Sequence, residues 1–448
     1  MKRFLHYILL VLSLVVCFSC GEDRTHELEE KTQHNHWIFA QLQDWYLWND
    51  ELEEYEPAWR EFFAKPDVFL SSVAGKANKA DKWSYLEIDT LRKDLHTRGH
   101  YNHIDSYGFD FVLMNDPTGQ TTRSYARVIT VYPNSPASKA GLARNDFISE
   151  FDSFKLSSNN ASRLEKGMAK TLTVCRLGVG EESLFWEETK SVDLAESRCV
   201  EDVAFPVDTI HMVEGRKVGY VMCNRLLPSS EGDGESRTAV TDYKARLDGL
   251  MGKFADAKVD ELVVDFRLCN FGTMEMARRF ASYIVSPAKL NGVFAKTYWN
   301  ANCSANNTTL PFDTSVRNLN LRRVYFITSE YTQGAAEWVI HSLQSAMGEE
   351  NVLVIGKPSA GQNVMTAEVG NKYHISLFPA VAYVADGEGS YEYGSIVPEC
   401  ADDEFLYIDL ESYGSRNEAL LQDAIFHISN GYFEGQNVEE GDNMSESE

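Results

Sequence analysis

The sequence predicts a layered α/β core, preceded by a helical segment and a small β domain. Three observations predict it. From Val218 onward, short apolar runs alternate with amphipathic stretches of helical length, the pattern of strands packed beneath helices. Between Ser106 and Val200 the runs are shorter and alternate apolar with polar residues. From His34 to Leu91, Ile38, Leu42 and Trp45 recur at helical spacing. A chain of 448 residues is too long for one ordinary core, so several domains are expected.

In order along the chain, residues 34–105 read as a helical domain packed by aromatic side chains, with Trp48, Trp59, Phe62, Phe63 and Trp83 supplying bulk. Residues 106–200 hold a glycine-led strand, Tyr107-Gly108-Phe109-Asp110-Phe111-Val112, and a second strand from Ala126 to Val131. A short helix stopped by Gly141 follows, then a strand entered through Asp146. Residues 201–433 give strands at Val218–Met222, Glu261–Phe266, Arg323–Thr328 and Val352–Ile355. Helices are expected at Ala239–Phe254, Met274–Ile284 and Glu337–Met347, and a hairpin-like region at Tyr373–Ala385. Pro228 to Gly234 reads as a surface loop.

Composition narrows the function. Apolar residues at 44% and aromatic residues at 12% suit packed cores. A formal net charge of -25 disfavours a nucleic-acid partner, because phosphate binding needs a positive field. The acidic stretch 434–448 reads as a disordered tail. Six cysteines beyond residue 20 (Cys175, Cys199, Cys223, Cys269, Cys303 and Cys400) form no C-x-x-C pair, so no metal is expected. Nor is any cofactor expected.

The first twenty residues read as an address. Lys2 and Arg3 precede an apolar run, Tyr7 to Phe18, too short to span a membrane comfortably. Its end, Ser19-Cys20-Gly21, resembles a bacterial lipoprotein box, although Cys17 stands where an aliphatic residue is usual. That resemblance implies cleavage before Cys20, lipidation of its sulfur, and a membrane anchor in the envelope of a Gram-negative-type bacterium. Residues 21–33 would be a polar tether.

The chemistry-bearing stretch is Val324 to Thr328 followed by Thr332-Gln333-Gly334-Ala335-Ala336-Glu337. An apolar strand runs into a turn of small residues that opens a helix, the layout of a nucleophile turn. At its centre stands Gly334, and a hydrogen has no lone pair with which to attack a carbonyl.

Ser135-Pro136-Ala137-Ser138-Lys139-Ala140-Gly141-Leu142, with the glycine-led strand, resembles a circularly permuted PDZ domain. That family adds a peptide as an extra strand, which implies peptide binding at Tyr107, Gly108, Phe109, Asp110 and Phe111. The whole order of parts resembles the C-terminal-processing, or tail-specific, serine peptidases, which implies a ClpP/crotonase-like layered α/β core. Val263-Val264-Asp265-Phe266-Arg267, Thr332 to Glu337, Ile355 to Gln362 and Tyr393-Gly394-Ser395-Ile396-Val397-Pro398 carry the resemblance.

In that family a serine is activated by a buried, neutral lysine, and backbone N–H groups hold the oxyanion. Carried over by position, the serine is Gly334 and the lysine is Gln362, which has no titratable group. The oxyanion turn falls on Phe271 and Gly272, with Ala335 after the nucleophile position. Cys269, Asn270 and Phe271 replace small residues there, and Phe271 is expected to crowd the oxyanion position. Arg267 and Glu337 keep family types and are expected to hold the scaffold. The expected function is binding of peptides or unfolded protein C-termini with little or no proteolysis. The alternatives are a peptidase with a relocated nucleophile, Cys269 foremost, and an envelope scaffold docking a partner through the PDZ-like module. The sequence leaves the oligomeric state open.

Overall fold

The computed structural model describes residues 25–79, 81–88, 103–181, 183–187, 189–230 and 241–435. The signal segment with Cys20, most of the 228–234 loop and the tail beyond Gly435 lie outside the described residues. The chain divides into two compact units.

The first unit joins residues 1–92 to two later segments, 299–306 and 366–382. Helix α1 (Thr25–Trp45) begins within the stretch expected to be a tether. Within it, Asn35 donates its amide to the carbonyls of Phe62 and Ala64 and ties the helix to that turn. Ile38, Leu42 and Tyr46 are fully buried, and α2 (Pro66–Ala77) starts on proline at its first turn, where no N–H is missed. Trp59 and Phe63 are exposed, so the aromatic core is smaller than the sequence suggests. A three-stranded antiparallel sheet, Tyr85–Ile88 with Ile375–Phe378 and Gly370–Lys372, also belongs here. The expected hairpin therefore turns at Tyr373 and His374, both at positive φ, between the last two of these strands.

The second unit holds the small β domain and the α/β core. The β domain is an antiparallel sheet of β1 (Phe109–Asn115), β2 (Ser124–Val131), β3 (Phe147–Phe151), β4 (Lys170–Cys175) and β5 (Lys190–Leu194), in spatial order β5-β4-β3-β2-β1. Tyr107, Phe109, Val128, Ile148, Leu172 and Val192 form its core. The short helix Pro136–Lys139 is capped by Ser135, whose hydroxyl accepts from Ser138 N–H. This is the expected PDZ-like arrangement, with β1 at the edge of the sheet.

The core sheet runs β6 (Val207–Val213), β7 (Arg216–Met222), β8 (Glu261–Asp265), β9 (Val324–Thr328), β10 (Val352–Gly356) and β11 (Cys400–Ala401). Only β6–β7 is antiparallel; the remaining pairs are parallel. Strands buried on both faces read as unbroken apolar runs, which is why Val-Tyr-Phe-Ile-Thr shows no alternation. The two faces are nonetheless distinct. Leu262, Val264, Phe326 and Val354 meet α3 (Tyr243–Ala257), α4 (Met274–Ile284) and α5 (Ala335–Met347). Val263, Tyr325, Ile327 and Ile355 meet α6 (Ala419–Asn430). Helix α3 begins four residues later than expected, because Asp242 caps it by accepting from Ala245 N–H. Every parallel strand therefore ends on the same side of the sheet, and its following turn opens there.

Candidate functional site

The turns after β8, β9 and β10 converge. After β9, Ser329 and Thr332 fix the chain's exit by donating their hydroxyls to the carbonyls of Arg267 and Phe266. Gln333 N–H then donates to Cys269 C=O at 2.9 Å, which clasps the β9 turn to the β8 turn. Gly334 caps α5 at φ +57° and ψ -109°, a backbone conformation that side chains resist. A Cβ placed there would lie 3.0 Å from Gln362 Oε1. The positions assigned to nucleophile and base thus face each other, and they present a hydrogen and a neutral amide. Gln362 is nearly buried and donates Nε2–H to Val364 C=O at 3.0 Å, so its amide oxygen is the end turned towards Gly334.

Glu337 holds this arrangement together. Its buried carboxylate accepts from Gly334 N–H (2.9 Å), Gln362 N–H (2.8 Å), Gly361 N–H (2.6 Å) and the Ser359 hydroxyl. Ser359 Oγ in turn accepts from Ile396 N–H at 2.8 Å, which adds the Gly-Ser-Ile-Val-Pro turn. Burial pushes the Glu337 carboxyl above its ordinary range, and the four donors oppose that push.

The turn expected to hold an oxyanion reaches the same place. A Cβ on Gly272 would fall 2.7 Å from Ala335 Cβ, so the Gly272 backbone lies against the Ala335 methyl group. Phe271 C=O accepts from Leu226 N–H, and its ring is half-buried against the main core. Behind the turn, Arg267 is fully buried among Asp265 (2.8 Å), Glu404 (2.7 Å) and Glu418 (2.7 Å). Arg144 of the β domain also binds Glu404 and lies 3.9 Å from the Tyr413 ring centre. The scaffold roles expected of Arg267 and Glu337 therefore match the geometry. Glu404 and Glu418 were not singled out, because partners 137 and 151 residues away leave no spacing signal.

The candidates for a relocated nucleophile are committed elsewhere. Among the described residues, Ser329, Thr332 and Ser359 all donate to fixed acceptors. Cys269 is fully buried and hydrogen-bonded to the thiol of Cys223, which burial holds well above its ordinary range. His341 packs on Tyr393 at 3.8 Å, and burial lowers its pKa to about 4, so it is a poor base. Lys357 pairs with Glu330 and Asp403; burial works against its charge, but these partners raise its pKa and keep it an ammonium.

The residues expected to bind a peptide divide. Tyr107 and Phe109 put their side chains into the β-domain core, and Phe111 packs partly against it. Asp110 Oδ2 accepts from Tyr132 OH at 2.6 Å. Gly108 lies at φ +83° so close to Ser135 that a Cβ would clash at 2.1 Å.

Residues 33–85 match the family model described as Peptidase S41 N-terminal domain. The fold is similar to that of a Bacteroides fragilis NCTC 9343 protein assigned to the S41 proteases, at 26% identity and a TM-score of 0.77. That match covers 88% of this chain and 97% of the other. A photosystem II D1 C-terminal processing protease aligns at 15% identity and a TM-score of 0.47, covering 85% and 95% of the two chains. No curated protein sequence matches the chain. The chain therefore matches the S41 N-terminal domain over residues 33–85 and shares its overall fold with a protein assigned to the S41 proteases.

Proposed function

We propose that the protein is a lipid-anchored component of the bacterial cell envelope that holds peptide segments or protein C-termini in a peptidase fold without cutting them efficiently. One observation carries this reading: Gln362 Oε1 lies 3.0 Å from where a side chain at Gly334 would begin. The two groups that should exchange a proton and attack a carbonyl are an amide and a hydrogen. The commitments of Ser329, Thr332, Ser359 and Cys269 support the same reading: the first two donate to backbone carbonyls, Cys269 meets a second thiol, and Ser359 donates to a carboxylate already held by three N–H groups.

The test is incubation of the purified chain with unfolded casein, alongside a fluorophosphonate probe. No new fragments and no labelled chain are expected. Turnover that survives both Cys269→Ala and contaminant controls overturns the reading. The anchor is tested separately: metabolic labelling with a fatty acid should mark the expressed chain and disappear in Cys20→Ser.

A further inference from the structure

We propose that the β1 edge of the β domain receives an internal, extended segment of an unfolded polypeptide and does not read a C-terminal carboxylate. This rests on the peptide-holding reading above and narrows its ligand.

A terminal carboxylate needs unspent N–H groups converging in the loop before the strand. In this chain two of them are consumed. Tyr107 N–H donates to Glu165 C=O at 3.1 Å, and Gly108 N–H donates to Ser106 Oγ at 2.9 Å. The segment that carries Glu165 is tied down again where Tyr107 OH donates to Met168 C=O. A carboxylate entering here would find both N–H groups already spent and the Glu165 carbonyl oxygen, which repels it, in the place of one of its donors.

The strand edge is arranged differently. β1 pairs Phe111 with Val128, Leu113 with Ala126 and Asn115 with Ser124. Val128 spends its N–H on Asp146 C=O and its C=O on Asn145 N–H, both on the far side from β1. Phe111, Leu113 and Asn115 therefore sit at the non-bonded positions of the ladder and turn their own N–H and C=O away from β2. Among the described residues β1 pairs with β2 alone. Three alternate residues thus present a row of backbone donors and acceptors, and Leu113, 37% exposed, adds apolar contact. The irregularity between Asp110 and Phe111 interrupts the ladder before it reaches the loop. A segment added along 111–115 is not led into the Tyr107–Gly108 turn, so it has no need to end there.

The test uses fluorescein-labelled casein peptides of about twelve residues, each made as free acid and as C-terminal amide, read by fluorescence anisotropy against the full chain. For the peptides that bind, acid and amide should agree within about twofold in Kd, well inside the tenfold that 1.4 kcal/mol represents. Leu113→Pro removes an outward N–H and no bond to β2, so it should weaken binding at least about fivefold with the circular dichroism unchanged. Peptides N-methylated at alternate backbone positions should weaken equally and leave the protein untouched. Tenfold weakening on amidation would overturn this inference while peptide holding stood. Binding indifferent to both Leu113→Pro and N-methylation would remove β1 as the site. Failure of every casein peptide to bind would overturn the peptide-holding reading as well.

Discussion

Glu337 is the residue on which the candidate site turns. Four donors from two segments point at one buried carboxylate. Glu337→Gln keeps the shape but replaces one acceptor oxygen with a donor, leaving N–H groups face to face with an NH₂. It should cost about 2–4 kcal/mol, read as a lowered urea midpoint at unchanged m. Gly334 sets the complementary test. Its φ of +57° with ψ of -109° is costly for any side chain, and a new Cβ must also push Gln362 aside. Gly334→Ser should therefore lose about 1–3 kcal/mol. Adding Gln362→Lys should not give efficient casein cleavage, because Cys269, Asn270 and Phe271 still stand where the oxyanion turn needs small residues. Full turnover by that double variant would show the oxyanion turn to be competent as it is.

Among the elements, the β8 turn joins two kinds of buried chemistry. Arg267 pairs with Asp265 two residues before it and with Glu404 and Glu418 from distant segments, and truncating it, which removes the buried cation they share, should cost about 3–5 kcal/mol. Two residues further on, Cys269 meets Cys223 from the end of β7 within the main core. Neither thiol reaches solvent, whereas Cys199 is exposed. Iodoacetamide at mildly alkaline pH should label Cys199 in the folded chain and spare Cys223 and Cys269 until denaturant is added, as read by peptide mass spectrometry. Native-state labelling of Cys269 would revive it as a nucleophile. Element types were legible where the pattern was strong: Val324 to Thr328 as a buried strand, Met274 to Ile284 as a helix. The start of α1 was not, because its first turns are polar and carry no apolar periodicity.

For the whole molecule, pH dependence separates two buried clusters of opposite sign. Burial alone would raise Glu404, but Arg267 and Arg144 beside it hold its carboxyl below the ordinary 4.5. Its contribution is present above that value and lost as pH falls through the lower folded pKa. Asp423 behaves in reverse: burial, then the neighbouring Asp402, raise it from 3.8 to about 7. Its contribution is full below 3.8 and lost as pH rises towards 7. Urea midpoints should decline both below about pH 4 and between about pH 4 and 7 on the alkaline side, leaving an optimum between the two limbs. Asp423→Asn should flatten the second decline and leave the first; an unchanged slope from pH 4 to 7 would remove Asp423 as its source.

The amino-acid order by itself placed Gly334 and Gln362 at the positions where the resemblance implies a serine and a lysine, a reading that needs no coordinates. It also determined the strands and helices whose periodicity is set by local burial. Only the tertiary structure decided that Gly334, Gln362 and the Gly272 turn come together, and that Glu165 and Ser106 accept the N–H groups of Tyr107 and Gly108. The physical reason is range. Propensity and amphipathicity act over a few residues, whereas these hydrogen bonds and close approaches join segments that only the folded sheet brings together.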